Sequence, residues 1–372
     1  MRIPLSAPDI SEAEIESVVR VLRGRQLSLG PALATFEKTV ANYLGVPHAV
    51  ALNSGTSALH LCVRGLEIRE ADEVILPSFT FIAVANAVRY ERATPVFVDI
   101  EPRTLNLDAN KIEAAITPRT RAIIAVHTFG VPAEMDAIID IAQRHNLFVI
   151  EDACEAIGAE YHGQKVGSIG HAGALAFYPN KQITTGEGGM LITRNPALAT
   201  RVEALRNHGR IADNPRHREL GYNYRISDIN CALGIAQMGR IDEILARRAE
   251  VARKYDAQLR GLPELVLPPL ELPGIEISWF VYLVRLADRF TEADRDRLVL
   301  ALGHRGIATG KYFAPIHRQH VYRNFEIRHP LPITEQVSTR TLALPFFNRI
   351  SDDEIAEVCQ TLARSLQEVA RS

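Results

Sequence analysis

The segment RAIIAVHTFGVPAEMDAIIDIAQRHNLFVIEDA, residues 121–153, decides the fold class. Two of its parts, 122–126 and 147–150, are short apolar runs that predict buried β-strands. Between them, residues 135–146 carry apolar side chains at helical spacing. Strands that are apolar throughout and alternate with amphipathic helices imply a mostly parallel sheet with helices on both faces.

The same alternation extends towards the N-terminus. The runs DEVILPS and TPVFVDI predict strands, and FIAVANAVRY between them predicts a helix. HAVALNSGTSALHLCVRGL, residues 48–66, predicts a strand, a turn and a helix. Residues 11–24 predict the first helix, with Ser11 as its N-cap and Glu14 at the capping-box position. This part of the chain is therefore predicted to be an α/β domain.

The pattern changes near residue 236, where a long helix rich in Arg and Glu begins. Later segments predict strands at 279–286 and 341–347 and helices at 295–306 and 352–370. The Pro-rich stretch 262–274 is interpreted as an ordered connection. We therefore expect three parts: an N-terminal segment 1–12, a large α/β domain 13–235 and a smaller α+β C-terminal domain 236–372.

Composition and charge exclude several classes of protein. The 42 basic and 44 acidic residues give a formal charge of -2, so neither nucleic acid nor an anionic membrane is an expected partner. The four cysteines, at 62, 154, 231 and 359, are far apart and show no CxxC spacing, which is typical of reduced core residues. Because the N-terminus lacks an apolar signal core and no run of eighteen apolar residues occurs, we expect a cytoplasmic protein.

Ligands of open α/β sheets bind beyond the carboxyl ends of the strands, so residues that follow strands are the candidate site residues. Ser54-Gly55-Thr56-Ser57 follows a strand and precedes a helix, which suits either an anion seat or an ordinary N-cap. Asp152 ends another strand and could be an N-cap, a metal ligand or a charge partner. No His, Cys or Asp set with metal-ligand spacing accompanies it, so no metal is expected.

Lys181 lies in FYPNKQITTGEGGM, residues 177–190, a loop between two predicted strands. A lysine in a turn is usually a solvated surface charge, but a lysine amine can also form an imine with an aldehyde. Pyridoxal 5'-phosphate requires an anion seat for its phosphate, an acid for its ring nitrogen and a lysine that forms an imine. The three candidates together predict this cofactor.

The chain also resembles a known family over nearly its whole length. The motifs NSGTSALHL, LPSFTFIAVANAV, PVFVDIEPRTLNLD, AVHTFGVPAEMDAI, VIEDACEAIGAEY, FYPNKQITTGEGGM and GYNYRISDINCALG resemble those of the DegT/DnrJ/EryC1/StrS sugar aminotransferases. These are pyridoxal-phosphate enzymes of fold-type I. The resemblance implies that Lys181 forms the imine with the cofactor and shuttles a proton during the reaction. It also implies that Asp152 keeps the pyridine nitrogen protonated.

The resemblance assigns the phosphate seat to Gly55, Thr56 and Ser57. Many relatives have a serine where this chain has Ala176, and that hydroxyl usually helps to hold the phosphate. At this position the chain departs from the family pattern. The resemblance therefore implies either that another group replaces the hydroxyl or that one hydrogen bond is missing.

Three further cofactor residues follow from the resemblance. Phe81 matches an aromatic residue that stacks on the pyridine ring, although composition alone favours a core residue. Glu155 occupies a position near the phenolic oxygen that is often Gln or His, and a carboxylate there requires a shared proton. Asn223 matches a residue that reaches across a dimer interface, which implies a homodimer with shared active sites.

Two segments are candidates for the acceptor site. Residues 206–220, RNHGRIADNPRHREL, concentrate Arg and His side chains, including Arg210, and are either a solvated basic turn or a seat for a nucleotide diphosphate. KYFAPIHRQHVY, residues 311–322, resembles a stretch near the sugar site of the family and supplies Tyr312 and His317. A single histidine is more often structural than functional.

The expected activity is transfer of an amino group from L-glutamate to a nucleotide-linked keto sugar by a ping-pong mechanism, with pyridoxamine 5'-phosphate between the two halves. A 4-keto-6-deoxy hexose is the first choice of acceptor, and a 3-keto sugar or a keto-inositol of antibiotic biosynthesis is the alternative. Dehydratase relatives generally replace the lysine with histidine, so Lys181 argues against that reaction. A non-catalytic regulator that binds the cofactor, and a scaffold protein, are the rival classes.

Overall fold

The computed structural model describes residues 1–210 and 216–371. Seven strands form the central sheet in the order β1-β9-β8-β5-β4-β2-β3. Only β9 runs antiparallel to its neighbours; the β2–β3, β2–β4, β4–β5 and β5–β8 pairs are parallel. The strands are β1 (His48–Leu52), β2 (Glu73–Pro77), β3 (Thr94–Val98), β4 (Thr120–Val126), β5 (Phe148–Asp152), β8 (Ala172–Ala176) and β9 (Gly189–Thr193).

Helices cover both faces of this sheet, as the sequence predicts. One apolar core lies between the sheet and three helices, α2 (Pro31–Leu44), α5 (Met135–Arg144) and α7 (Asp228–Met238). The second core lies on the other face, under α3 (Gly55–Gly65), α4 (Ala83–Tyr90) and α6 (Pro196–Arg206). Because successive strand residues point to opposite faces, Val50 belongs to one core and Ala51 to the other.

The C-terminal region has its own sheet and core. Strands β10 (Leu265–Val266), β12 (Tyr282–Leu286) and β13 (Thr341–Leu344) form a sheet that packs with three helices, α8 (Ile241–Leu259), α9 (Glu292–His304) and α11 (Asp352–Arg371). A short helix, α10 (Pro332–Ser338), precedes β13. Ile3 is fully buried in this core, so the N-terminal segment packs against the C-terminal region. The domain bounds stay a prediction.

A small third sheet joins distant parts of the chain. Its strands are β6 (Glu160–Tyr161), β7 (Gln164–Lys165) and β11 (Ile275–Glu276), in the order β11-β6-β7. The strand β11 directly follows the Pro-rich stretch 262–274, which itself carries β10. That stretch is therefore an ordered connection, as predicted.

The first helix, α1 (Glu12–Leu22), begins where the capping box predicts. The backbone N–H of Ser11 donates a hydrogen bond of 2.7 Å to Oε2 of Glu14, and the Ser11 hydroxyl also donates to this oxygen. In the part of the chain that the structure describes, no helix is both long and apolar enough to span a membrane.

The four cysteines are all free thiols. Cys62, Cys231 and Cys359 are buried, as the sequence predicts, but Cys154 is only partly buried. It lines the cavity described next. The prediction of four core cysteines is therefore wrong at this position, because the residue follows β5 at the edge where the strands open into the site.

Candidate active site

A cavity of about 310 Å³ lies where the carboxyl ends of the parallel strands meet. Residues that follow β1, β2, β5 and β8 contribute to its wall, together with residues just before β9. The C-terminal region closes one side with aromatic rings. The lining residues include Ser54, Gly55, Thr56, Thr80, Phe81, Asp152, Cys154, Glu155, Ala176, Tyr178, Asn180, Lys181, Glu187, Phe280, Tyr312 and Phe313.

Lys181 lies in this wall, in the loop between β8 and β9. The backbone N–H of Lys181 donates to the carbonyl oxygen of Tyr178 at 2.9 Å, and the Thr184 hydroxyl donates to the carbonyl of Phe177 at 3.0 Å. These bonds fix the loop on both sides of the lysine. The Lys181 side chain is only 13% exposed, so a solvated surface charge, the alternative from sequence, does not describe it.

The Lys181 amine has two close neighbours. Its Nζ atom lies 3.3 Å from Oε1 of Glu155 and 4.0 Å from the centre of the Phe280 ring. An ammonium group over an aromatic face is attracted by the ring's electrons, and the Glu155 side chain adds a hydrogen-bond acceptor. These two contacts therefore restrict the position of the lysine amine in the cavity.

Glu155 is a buried acid with two partners. Its second oxygen, Oε2, accepts a hydrogen bond of 3.1 Å from the backbone N–H of Phe129. Burial raises the pKa of Glu155, and the charge of Lys181 only partly opposes this effect. The carboxyl group is therefore well suited to hold a proton beside Lys181.

Asp152 ends β5 and is also buried. Its Oδ1 atom accepts a hydrogen bond of 3.0 Å from the backbone N–H of Cys154. Within residues 1–210 and 216–371, its other oxygen has no hydrogen-bond partner. Asp152 lines the cavity, so a cationic N–H donor from a ligand would give this oxygen a partner.

The N-terminus of α3 forms the anion side of the cavity. The Ser54 hydroxyl caps the helix by accepting a bond of 3.1 Å from the N–H of Ser57. The Ser57 hydroxyl donates to Oδ1 of Asn53 at 2.7 Å, and Ser57 does not line the cavity. Gly55 and Thr56, in contrast, line it at the end of the helix where free N–H groups attract anions.

Gly55 and Ala176 are in close contact across α3 and β8. A Cβ atom on Gly55 would lie 2.6 Å from Cβ of Ala176 and 3.1 Å from Sγ of Cys154. Only glycine lets the helix end approach the strand this closely. Ala176 lines the cavity without a hydroxyl, and the wall offers the hydroxyls of Thr56 and Thr80 instead.

Aromatic residues form the remaining wall. Phe81 is 58% exposed, so it is not the core residue that composition alone favours. Its ring centre lies 6.5 Å from that of Phe313, and Phe313 stacks with Tyr312 at 5.1 Å. Burial raises the pKa of Tyr312, and the nearby charge of Glu155 adds to this rise. Phe81 and Tyr312 thus lie in the same cavity as Lys181.

Besides Ser57, three predicted site residues lie outside this wall. Asn223 is exposed and forms a β-bridge with Asn207. Arg210 is exposed and forms a β-bridge with His217. The side chain of His317 is 7% exposed, with Nδ1 2.7 Å from the Ser78 hydroxyl and Nε2 3.3 Å from Oε1 of Glu335, so it joins the C-terminal region to the end of β2.

The predicted basic loop needs one correction. Arg206 is the last residue of α6 rather than part of a loop, and it is buried there. Its guanidinium pairs with Glu37 and donates to the carbonyl of Ala51 at 2.8 Å, so it takes part in the packing of the domain. Residues 211–215 of the same segment lie outside the described residues.

The residues of the cavity fit pyridoxal phosphate. Oδ1 of Asn180 is buried in the wall and has no hydrogen-bond partner among the described residues. Buried polar atoms usually have a partner, and a donor group of a bound ligand would supply one here. The chain also supplies the amine, the unpartnered acid and the helix N-terminus that the cofactor requires. No set of metal-ligating side chains is present in the described parts of the chain.

Several lining residues were not identified from the sequence. Asn180 directly precedes Lys181, so its place in a motif with the lysine was an available signal. Phe280 and Phe313 come from the C-terminal region, more than ninety positions after Lys181 in the chain. Phe313 directly follows Tyr312 in the segment 311–322, which was an available signal, whereas nothing local marks Phe280, because its position depends on how that region packs over the sheet.

This fold and this site together define a pyridoxal-phosphate enzyme of fold-type I. A model of the DegT/DnrJ/EryC1/StrS aminotransferase family matches residues 8–363. The chain is 42% identical over 371 residues to GDP-perosamine synthase of Caulobacter vibrioides, covering 98% of both proteins. It is 37% identical over 374 residues to the spore coat polysaccharide biosynthesis protein SpsC of Bacillus subtilis, covering 97% of this chain and 96% of SpsC.

Solved structures agree with these matches. DesV of S. venezuelae is 35% identical and superimposes with a TM-score of 0.91, covering 100% of this chain and 99% of DesV. A putative sugar aminotransferase of Streptococcus pneumoniae, Spr1654, is 28% identical with a TM-score of 0.95, also over 100% of this chain and 99% of the other, and it has been solved in its PLP and PMP forms.

The chain belongs to the DegT/DnrJ/EryC1/StrS aminotransferase family. Membership of this family confirms the predicted fold class, the aminotransferase activity and pyridoxal phosphate as the cofactor. The individual roles of the site residues stay predictions, which the geometry supports.

Proposed function

We propose that this enzyme transfers the amino group of L-glutamate to the keto group of a nucleotide-linked sugar, with a GDP-linked 4-keto-6-deoxy hexose as the acceptor. The observation that carries the proposal is the 42% identity to GDP-perosamine synthase over 98% of both chains. That relative is named for a sugar linked to guanosine diphosphate. The cavity around Lys181 supplies the groups that such a transfer requires.

Lys181 has two tasks in this proposal. Its amine holds the cofactor covalently, and once displaced it moves a proton at the reacting carbon. Both tasks require the neutral amine. Glu155 has a carboxylate oxygen 3.3 Å from Nζ and is the group within reach that can take the proton from the ammonium form. The Phe280 ring below the amine limits its movement.

Asp152, Gly55 and Thr56 hold the cofactor at its two ends. The second oxygen of Asp152 would accept a hydrogen bond from the N–H of the ring nitrogen, and the end of α3 would hold the phosphate. When bound, pyridoxal phosphate supplies a ring that accepts the electron pair left at the substrate carbon. A hydrogen bond from the ring nitrogen to the Asp152 side chain would favour the protonated ring, which has this capacity.

The acceptor side of the proposal concerns residues beyond the cavity. A homodimer with shared sites would bring Asn223 and Arg210 of one protomer towards the cavity of the other, and both residues are exposed in the single chain. Tyr312 lines the cavity directly. His317 acts through its bonds to Ser78 and Glu335, which hold the segment that carries Tyr312. The cytoplasmic location stays a prediction.

The test is product analysis with purified enzyme, pyridoxal phosphate and L-glutamate. GDP-4-keto-6-deoxymannose, a nucleotide-linked 3-keto sugar and a keto-inositol are offered separately, and the aminated product is identified by mass spectrometry. We expect amination of the GDP-linked 4-keto sugar alone, with equimolar 2-oxoglutarate. Amination of the keto-inositol and of neither nucleotide sugar would contradict the proposal. Enzyme with Lys181→Ala is the negative control.

A further inference from the structure

A second cavity, of about 480 Å³, lies on the other side of the wall that Phe280 forms. It is bounded by the loop that follows β3, by residues 266–269 and by the chain from Trp279 to Arg285. Its lining residues do not overlap with those of the Lys181 cavity. Trp279 and Val281 face it, whereas Phe280 between them faces the Lys181 cavity. The two cavities therefore share a wall and are separate sites.

Two guanidinium groups line this second cavity without an acidic partner. Arg285 is half-buried; its Nη1 donates to the carbonyl of Pro102 at 3.1 Å, while its buried Nε has no partner among the described residues. Neither Arg285 nor the exposed Arg103 forms an ion pair within residues 1–210 and 216–371. Burial lowers the pKa of Arg285, and the positive charge of Arg340 lowers it further. An anion in the cavity would stabilise a guanidinium group in this position.

The acids nearest to Arg285 are already engaged. Asp288 forms an ion pair with Arg340. Glu101 accepts hydrogen bonds from the backbone N–H groups of Arg103 at 2.8 Å and of Thr104 at 2.7 Å, and thereby stabilises the loop. Both carboxylates act on Arg285 only through their charge at a distance, and neither forms an ion pair with it. An anion bound in the cavity would give the guanidinium group a direct partner.

Apart from Thr104, the rest of the wall consists of apolar residues and includes an indole ring. Leu267, Pro268, Leu283 and Val281 contribute aliphatic surface, and Trp279 stacks on Tyr282 with ring centres 5.9 Å apart. An apolar wall with a few convergent polar groups is typical of a small-molecule site, and the volume falls in the usual range. The preferred ligand has both an anionic end and a planar, apolar end.

We propose that this cavity is a second nucleotide site, in which Arg103 and Arg285 bind the phosphates of a nucleoside diphosphate and the apolar wall beside Trp279 holds its base. Guanidinium groups bind phosphate oxygens in pairs, and indole surfaces hold planar rings. The proposal is independent of the acceptor sugar, because no residue of the Lys181 cavity takes part in it.

Trp279 is the one tryptophan in the chain, so tryptophan fluorescence reports on this cavity directly. The holoenzyme is titrated with GDP, and we expect a saturable change in emission. Arg103→Gln and Arg285→Lys should each weaken GDP binding by about tenfold or more, since each removes a paired phosphate contact. Arg103 is exposed, so its replacement leaves the fold intact.

Arg289→Gln is the matched control, because Arg289 is an exposed arginine that pairs with Glu264 outside the cavity. It should bind GDP as the wild type does. Guanosine and inorganic pyrophosphate are titrated separately and should each bind more weakly than GDP. The proposal is overturned if GDP causes no saturable change, if pyrophosphate binds as tightly as GDP, or if Arg103→Gln leaves the titration unchanged, as binding in the Lys181 cavity would.

Discussion

At the scale of single residues, the site rests on one lysine with an acid and a ring beside it. Lys181→Ala removes the amine that forms the covalent bond to pyridoxal phosphate and moves the proton. We expect the visible absorbance band of the lysine-bound cofactor to disappear and the rate of transamination to fall by about a thousandfold or more. Absorbance spectra with and without glutamate, and product formation, measure the two effects.

The control for this variant is Lys165→Ala. Lys165 is also a partly buried lysine beside a carboxylate and an aromatic ring, with Nζ 2.9 Å from Glu160 and 4.5 Å from the centre of the Tyr43 ring. It lies outside the cavity, so the band and the rate should stay as in the wild type. A band of normal intensity in Lys181→Ala would show that another amine binds the cofactor.

Glu155 gives a prediction about pH. Burial raises the pKa of Glu155 in the fold above the ordinary 4.5, so the folded apoenzyme binds a proton that the unfolded chain has lost. The free energy of unfolding that this proton contributes is fully present below pH 4.5. It is lost as the pH rises towards the pKa of Glu155 in the folded protein. Glu155→Gln removes this dependence.

The measurement is urea unfolding of the apoenzyme at several pH values from 4.5 upwards. We expect the free energy of unfolding of Glu155→Gln, relative to the wild type, to rise with pH through this window. Glu187→Gln removes an exposed carboxylate from the same wall, and its free energy of unfolding should change with pH as that of the wild type does. If the free energy of unfolding of Glu155→Gln instead followed that of the wild type at a constant difference over this pH range, the folded state would not favour the protonated carboxyl group.

The residues at the strand ends could be predicted, and those contributed from a distance could not. Asp152, Glu155 and Lys181 follow strands in short motifs, and the structure brings all three to one cavity. Phe280 lies in the same wall, but nothing near it in the sequence indicates this, whereas Phe313 lies beside Tyr312 in a segment that was a candidate. The position of Phe280 results from tertiary packing, which local patterns do not encode.

At the scale of elements, the alternation of apolar runs and amphipathic segments predicts the helices and the parallel strands well. It does not predict that β9 runs antiparallel between β1 and β8, because a buried strand has the same pattern in either direction. The strands β6, β7 and β11 have two residues each, too few for any periodicity. Their pairing depends on contacts between distant parts of the chain.

The capping box of α1 has a second role that the sequence does not show. Glu14 accepts hydrogen bonds from Gln237 at 2.9 Å and from Arg240 at 3.0 Å, and so ties the first helix to the end of α7. Burial raises the pKa of Glu14, but hydrogen bonds from Ser11, Gln237 and Arg240 outweigh it and lower the pKa to about 2. This acid therefore stabilises the fold in its ionised form.

Glu14→Gln should destabilise the protein at neutral pH by roughly 1 to 2 kcal/mol, after allowance for solvent screening. The lowered pKa means that the contribution is present above pH 4.5 and is lost as the pH falls towards about 2. Chemical unfolding at pH 7 and pH 3 tests this: the difference from the wild type should shrink at the lower pH. Glu16→Gln, an exposed change on the same helix, should cost little at either pH.

At the scale of the whole molecule, the single chain has a cavity with exposed aromatic residues at its edge. Phe81 and Tyr178 line the cavity and are 58% and 51% exposed, and Leu220, close in sequence to Asn223, is 81% exposed. Exposed apolar residues near a functional cavity are typical of an interaction surface. They favour the predicted homodimer, in which Asn223 of one protomer reaches the cavity of its partner.

Active sites that are built from residues of both protomers can be distinguished by experiment from sites that are built from one protomer alone. Lys181→Ala and Asn223→Ala are each expected to have little activity alone. When the two proteins are unfolded together and refolded as a mixture, a mixed dimer has one site with both changes and one site with neither. Random pairing then restores about a quarter of the wild-type activity, since half of the dimers are mixed and each has one intact site.

Activity of the refolded mixture and its mass by light scattering are the measurements. Refolding each variant alone is the control and should restore nothing. If Asn223 instead served the cavity of its own chain, every site in the mixture would carry one of the two changes, and the mixture would stay as inactive as its components. A monomeric mass at working concentrations would contradict the shared site in the same way, because no partner would then be present to supply Asn223.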